Sequence, residues 1–353
     1  MCRFLIFKGI DPILLSHLLT RPAHSIINQS FDSRLRLDMR RPINGDGFGV
    51  GYYPVDQDQD ADVEKGPCVF CAITPAWNNI NLERLAEKTK SNLVFAHVRA
   101  STAGVLSETN CHPFVFHTLM FMHNGNISGF SKIKRNLATY LKDEYFNFVQ
   151  GGTDSEWAFA LYLDTLSRLG HDPADPVGKF PPEALRKALL QTLELIKEWT
   201  KNALGENADP SLLNIAVTDG NTVVVSRYVT SKTEEAASLH FSSGSRFIEY
   251  EPGQYRMERR DRAQNIVMIA SEPLTFERND WIAIPTNTVV TIKNQTVLMH
   301  PIVDEFFQSD PSRPRRSEYA ESKGLLSPVV VSNTTTSIPP LEREGRRRNS
   351  ITA

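Results

Sequence analysis

Apolar residues gather in short runs along this chain, and the spacing within each run predicts its element. Phe4 to Phe7 is apolar on both faces, as burial between two layers requires, so residues 2–8 read as a strand. Asp11 and Pro12 then supply an N-cap and a first helical residue, with Ile10 and Leu15 in staple positions, and predict a helix. Residues 24–43 are polar and arginine-rich and read as a long loop. Phe48, Val50 and Tyr52 alternate with Gly47, Gly49 and Gly51, a strand with one bulky and one bare face. A bare face lets another backbone or a ligand come close. Close packing of the chain's own N-terminus is the preferred explanation, with a purely structural strand as the alternative. The acidic stretch from Pro54 to Pro67 reads as a solvated insertion.

Residues 81–90 predict a short helix capped by Asn81, followed by strands at Leu93–Val98 and Leu119–Met122. Thr153 and Glu156 have capping-box spacing, which places Asp154 in a helix first turn. Trp157–Leu169 is apolar nearly all round and reads as a buried helix, and Glu183–Ala203 is amphipathic along Leu185, Leu189, Ile196 and Trp199. The second half turns to strands: 212–217 and 222–229 flank the turn signal Asp219-Gly220, with further strands at 238–242, 266–270, 281–284, 288–292 and 296–299. Central helices between strand-rich ends indicate a layered α+β fold. One domain is expected over residues 1–305. Residues 306–353, rich in Ser, Pro and Arg, are expected to form a disordered tail. Arg315-Arg316-Ser317 and Arg346-Arg347-Arg348-Asn349-Ser350 within it suit a basophilic kinase.

Composition narrows the class. With 353 residues, 41% apolar, 23% charged and a net charge of −2, the chain is an ordinary soluble type with no electrostatic reason to bind nucleic acid. No aromatic residues interleave with the tail arginines as a stacking platform needs. No apolar run approaches the roughly 20 residues of a membrane helix, and the first one ends too soon for a signal peptide. Four cysteines do not make a disulfide framework in a chain this long, so a cytoplasmic protein with reduced thiols is expected. Cys68 and Cys71 lack the second ligand pair a zinc site needs and read as strand or loop thiols.

The candidate chemistry begins at Cys2. Removal of Met1 leaves this residue with a thiol and a free α-amine, whose ordinary pKa values of about 8.5 and 7.7–8 let the amine act as the thiol's base. A small buried hydrophobe is the plainer reading of Cys2 alone. Asn124 and Gly125 offer N–H donors for an oxyanion, Arg99 a fork for a carboxylate, and Asp154 a partner for an ammonium. The last two together describe the head of an α-amino acid. Taken singly, Arg99 could serve an ion pair, Asp154 a helix cap and Asn124-Gly125 a turn.

The motifs occur in a recognisable order: Cys2; His97, Arg99 and Thr102; Asn110, His112 and Pro113; His123-Asn124-Gly125-Asn126-Ile127; Asp154-Ser155-Glu156. In this the chain resembles the class II glutamine amidotransferases, a family of N-terminal nucleophile hydrolases. The resemblance implies a four-layer αββα sandwich of two antiparallel sheets. It implies that Cys2 attacks a glutamine carboxamide, that Asn124 and Gly125 stabilise the oxyanion, and that Arg99 and Asp154 bind the substrate carboxylate and amine. Thr102 and His112 are taken as further substrate-binding residues, and no cofactor or metal is implied. Water then cleaves a γ-glutamyl thioester. Synthases of the family carry Arg-Gly-x-Asp-Ser near the glycine strand, whereas this chain has Asn44-Gly45-Asp46-Gly47, as in the stand-alone branch. Over residues 1–305, including Ala270-Ser271-Glu272-Pro273-Leu274, the chain is similar to fungal amidotransferase subunits of a glutathione-degradation complex. That likeness implies a γ-glutamyl substrate such as glutathione and a metallopeptidase-like partner subunit. A glutaminase component supplying ammonia to a separate synthase, or a non-catalytic scaffold with Met1 retained, are the alternatives.

Overall fold

The fold follows from where the apolar positions of each strand point. The computed structural model describes residues 2–32, 43–55, 65–100, 105–205, 208–260, 264–308, 310 and 313–325. Within these, the strands are β1 (Arg3–Leu14), β2 (Phe48–Tyr52), β3 (Cys68–Ala72), β4 (Lys90–Val98), β5 (Phe114–Phe116), β6 (Leu119–Asn126), β7 (Leu212–Thr218) and β8 (Val223–Arg227). They continue with β9 (His240–Gly244), β10 (Arg246–Glu251), β11 (Gln254–Glu258), β12 (Ile266–Ala270), β13 (Ile282–Ala283), β14 (Thr288–Lys293) and β15 (Thr296–Pro301). The helices are α1 (Ser16–Leu19), α2 (Ile26–Phe31), α3 (Ile80–Ala86), α4 (Phe130–Tyr140), α5 (Asp143–Phe148), α6 (Asp154–Arg168), α7 (Pro182–Leu204) and α8 (Glu318–Ser322).

One antiparallel sheet runs β13-β9-β12-β1-β4-β2-β3, the other β15-β14-β8-β7-β6-β5. Alternation along the strands divides the core in three. Phe4, Ile6, Leu93 and Phe95 of the first sheet meet Met120, Met122, Val223 and Val225 of the second. Leu5, Phe7 and Val94 point the other way, to α1, α2 and α3. Phe121, Ile215, Val217 and Val224 likewise face outward, to α4, α6 and α7. Side chains of period two covered on both faces make the expected αββα sandwich.

Several boundaries differ from the sequence reading. The helix expected at Asp11 is absent: β1 continues to Leu14, because β4 is long enough to pair Ile13 with Ser91 and Leu14 with Lys90 across an irregularity after Lys8. Tertiary pairing overrides the cap signals, and only the short α1 follows. Residues 24–43 are not all loop, since α2 forms under a Ser25 cap; residues 33–42 lie outside the described residues. The cap of α3 is Asn79 rather than Asn81. The hairpin β10–β11 was not anticipated. Thr153 caps α6 as expected, but Glu156 turns to the Gln150 and Gly151 amides at 2.8 and 2.6 Å. The bare face of β2 meets the second sheet rather than the N-terminus. A Cβ on Gly49 would fall on the His112 carbonyl, and one on Gly51 on Met120 and Pro113.

The boundary expected at 305 falls inside packed structure. Residues 313–325 lie along 231–238: the Arg315 guanidinium donates to the carbonyls of Ser231, Glu234 and Phe306 at 2.6–2.9 Å, and Leu325 is buried. Arg315 is therefore a structural residue, not part of a solvated basic run. The 346–350 stretch lies outside the described residues.

Candidate active site

The strand ends that carry the motifs converge. Arg3 at the start of β1 pairs with Val98 at the end of β4, and Leu5 pairs with Ala270 at the end of β12. Cys2, just before β1, is half-buried, and its thiol faces the Ala100 carbonyl at 3.7 Å. The next residue is clamped: Arg3 Nε donates to Glu272 Oε1 at 2.6 Å with both side chains almost fully buried, and Arg3 also donates to Asn44 Oδ1. Such a pair fixes the chain direction at the point where Cys2 leaves the sheet.

Ser271 brackets Phe4. Its amide donates to the Phe4 carbonyl at 3.0 Å, and its hydroxyl oxygen accepts from the Phe4 amide at 3.1 Å. The same hydroxyl oxygen accepts from Asn124 Nδ2 at 3.1 Å. One N–H of the Asn124 carboxamide is thereby held and the other left to give. Asn124 Oδ1 is buried with no donor among the described residues, and an orphaned buried acceptor marks a place where a ligand or water completes the structure.

Gly125 needs its missing side chain, since a Cβ would collide with the Leu212 carbonyl. That carbonyl accepts from His123 Nε2 at 3.0 Å. His123 Nδ1 lies 2.9 Å from Ser155 Oγ, and Ser155 also reaches Asp154 Oδ1 at 3.2 Å. Asp154, half-buried at the start of α6, accepts from the Ile127 amide through Oδ2 at 2.8 Å. The carboxylate is thus tied to the end of β6, three residues beyond Asn124. Asn110 adds a clip between loops, donating to the Val105 carbonyl at 3.0 Å and accepting from the Gly152 amide at 3.2 Å.

Arg99 follows β4 and is buried, with its amide donating to Gly47 at 2.9 Å and its carbonyl accepting from Asp46 at 3.1 Å. Its guanidinium points to the Asp46 carbonyl at 3.4 Å. The Asn44–Gly47 stretch is therefore the cradle of Arg99. His112, expected to bind substrate, lies deep beside β4 with both ring nitrogens lacking a partner among the described residues. It is 3% exposed and its ring lies tilted at 40° against His97, centroids 4.2 Å apart, between the sheets. Burial foremost, then the Arg99 charge, pushes His97 down to about 3. Burial and then His97 hold His112 well below the usual imidazole range. Burial thus favours the neutral form of both rings behind the strand ends. Thr102 lies outside the described residues.

The thiols divide in the same way. Burial pushes Cys71 up to about 12 and Cys111 up to about 11, so both stay protonated near neutral pH. Cys68 and Cys71 lie on β3, and no group of three or more metal-ligating side chains occurs among the described residues. No helix among the described residues is long and apolar enough to cross a membrane. Sequence reasoning missed the roles of Arg3, Asn44, Ser271 and Glu272. Only the run Ala270–Leu274 carried a signal for the last two.

The family model for class-II glutamine amidotransferases matches residues 15–316. The chain is 67% identical over 351 residues to the probable glutamine amidotransferase DUG3 of Saccharomyces cerevisiae, covering 99% of this chain and 98% of that one. The glutamine aminotransferase class-II domain protein of Silicibacter pomeroyi is similar in fold, with a TM-score of 0.55 at 22% identity over 86% of this chain and all of that one. The allosteric regulatory enzyme of purine biosynthesis shares the fold over 86% of this chain and 49% of its own, with a TM-score of 0.52 at 13% identity. With its family match spanning most of the sequence, the chain belongs to the class-II glutamine amidotransferases.

Proposed function

We propose that the protein cleaves a γ-glutamyl amide bond with Cys2 as nucleophile. The observation that carries this reading is the Ser271 hydroxyl, which joins the Phe4 amide, two residues from Cys2, to the Asn124 carboxamide. Nucleophile and oxyanion donor are thereby referenced to one atom. After removal of Met1, the α-amine of Cys2 takes the thiol proton and the sulfur adds to the γ-carbonyl carbon. The free N–H of Asn124 and the Gly125 amide hold the oxyanion, a role worth about 10²–10³ in rate per donor. Collapse expels ammonia or an amine, which leaves with the proton the α-amine had taken. Water, deprotonated by the same amine, then cleaves the thioester and releases glutamate.

Arg99 and Asp154 bind the α-carboxylate and α-amine of the glutamyl group. The buried cradle of Arg99 and the tether of Asp154 to Ile127 fit groups that must not swing. Thr102 and His112 are further substrate-binding residues in this reading. Glutathione is the favoured substrate and a metallopeptidase-like subunit the favoured partner, in the cytoplasm. Support comes from the likeness of the whole chain to the Saccharomyces relative and from the Asn44–Gly47 cradle of the stand-alone branch. Ammonia release from glutamine and cysteinylglycine release from glutathione are to be compared for the protein alone and with the partner subunit. Faster turnover of glutathione with the partner supports the reading. Turnover of glutamine alone makes the chain a glutaminase component, and retained turnover in Cys2→Ala removes the thiol mechanism.

A further inference from the structure

Residues 313–325 lie mostly beyond the stretch matched by the family model, yet they reach the back of the strand that carries Asn124 and Gly125. We infer that this segment is a strap that positions the oxyanion donors, with Leu325 and Tyr319 as its positioning residues. The inference rests on the reading of Asn124 and Gly125 given above.

Three routes lead from the strap to the donors. Leu325 packs in one buried cluster with Leu212, Val229, Ala236 and Ala237. Leu212 is the residue whose carbonyl receives His123 and abuts the bare Cα of Gly125. The Leu325 carbonyl, in turn, accepts from the Ser238 amide at 2.7 Å and from its hydroxyl at 3.3 Å. Ser238 Oγ also lies 2.9 Å from the Ser271 carbonyl, and Ser271 holds Asn124. Tyr319 lies partly buried against the same cluster. Burial raises its hydroxyl pKa, and the side chain of Asn126, the residue after Gly125, opposes the rise.

The strap itself is well anchored. Arg316 donates to the Thr233 carbonyl at 2.6 Å and accepts from the Glu235 amide at 2.8 Å, and Glu234 accepts from the Tyr319 amide at 3.1 Å. A segment tied so closely to 233–238 on one side and to Leu212 on the other transmits its own order to β6 and β7. An oxyanion hole gains rate from donors held in place before charge develops, so loosening the strap lowers kcat more than it raises KM.

The test uses the full chain. In Leu325→Ala, kcat for glutamine hydrolysis is expected to fall about tenfold, with KM within about twofold and a modest Tm change, because positioning and not binding is lost. Leu325→Met restores the rate, and Tyr319→Phe gives a smaller fall of the same kind. Amide exchange at Ser238, followed in parallel, reports whether the strap has loosened. Faster exchange with kcat within twofold of the parent overturns the proposal. If Leu325→Ala leaves exchange unchanged, Leu325→Asp is read in the same way, and unchanged exchange in both variants overturns it too. Asn124→Ala separates the two failures: full activity there removes the oxyanion reading, whereas loss there with unaffected strap variants removes only the strap.

Discussion

Asn124 of β6 and Ser271, the residue after β12 of the other sheet, are 147 residues apart in sequence and meet at 3.1 Å, carboxamide nitrogen to hydroxyl oxygen. The contact links the two halves of the site across the inter-sheet core. Ser271→Ala leaves the Asn124 carboxamide free to rotate and the Phe4 amide without its acceptor. A fall in kcat of about tenfold is expected, from loss of a hydrogen bond worth about 1 kcal/mol together with misplacement of its donor. Steady-state kinetics with glutamine check this. An unchanged kcat would show that the bond is only structural.

Arg3 and Glu272 form an ion pair that is almost wholly buried one residue from Cys2. Glu272→Gln leaves the Arg3 charge without its counterion, and breaking a buried pair in this way costs about 3–5 kcal/mol. Urea unfolding at neutral pH measures it. A loss below about 1 kcal/mol would mean that Asn44 satisfies Arg3 without Glu272.

At Gly125 there is no room for a side chain, because the obstacle is the Leu212 backbone carbonyl rather than a flexible group. Gly125→Ala is expected to destabilise by about 1–3 kcal/mol, as overpacking does, and to lose activity beyond the loss in folded fraction. Thermal unfolding and activity below Tm separate the two effects. Wild-type stability and rate would contradict the close approach.

The neutral imidazoles behind the site make stability depend on pH. His97 is held down to about 3 and His112 well below its ordinary value, in both cases chiefly by burial. Unfolded histidine titrates near 6.5. Below that pH the unfolded chain takes up protons that the folded chain refuses. The contribution is complete above about pH 6.5 and is lost as pH falls below it, for His97 down to about 3, at up to roughly 1.4 kcal/mol per pH unit for each ring. Unfolding free energies at pH 7 and pH 5 should therefore differ in favour of pH 7. His112→Phe should flatten the slope by about one proton, and an unaltered slope would place the uptake elsewhere.

The order of the motifs, together with strand parity, made the stretches that meet at the candidate site legible, because each sits at a strand end or helix start with its own local signature. The sandwich was legible for a related reason: runs such as Phe4–Phe7 and Leu93–Val98 are apolar on both faces only where layers lie on either side. What sequence could not show was who holds whom. Ser271 and Glu272 act on Phe4 and Arg3 from more than 260 residues away. The glycine face of β2 is explained by the His112 carbonyl and the Pro113 and Met120 side chains lying against it. The Asp11-Pro12 cap signal lost to strand pairing with β4, a contest between local propensity and long-range hydrogen bonding that no window of sequence contains. The strap at 313–325 is likewise polar in composition, and its few anchors, Arg315, Tyr319 and Leu325, are too sparse to form a periodic pattern.

The most direct measurement of the proposed chemistry is mass spectrometry of the mature protein after reaction with a glutamine-like diazo-ketone. The account predicts a chain that begins at Cys2 and carries one label, on the Cys2 sulfur, with Cys68, Cys71 and Cys111 unmodified. A retained Met1, or a label on any other residue with Cys2 untouched, would contradict it.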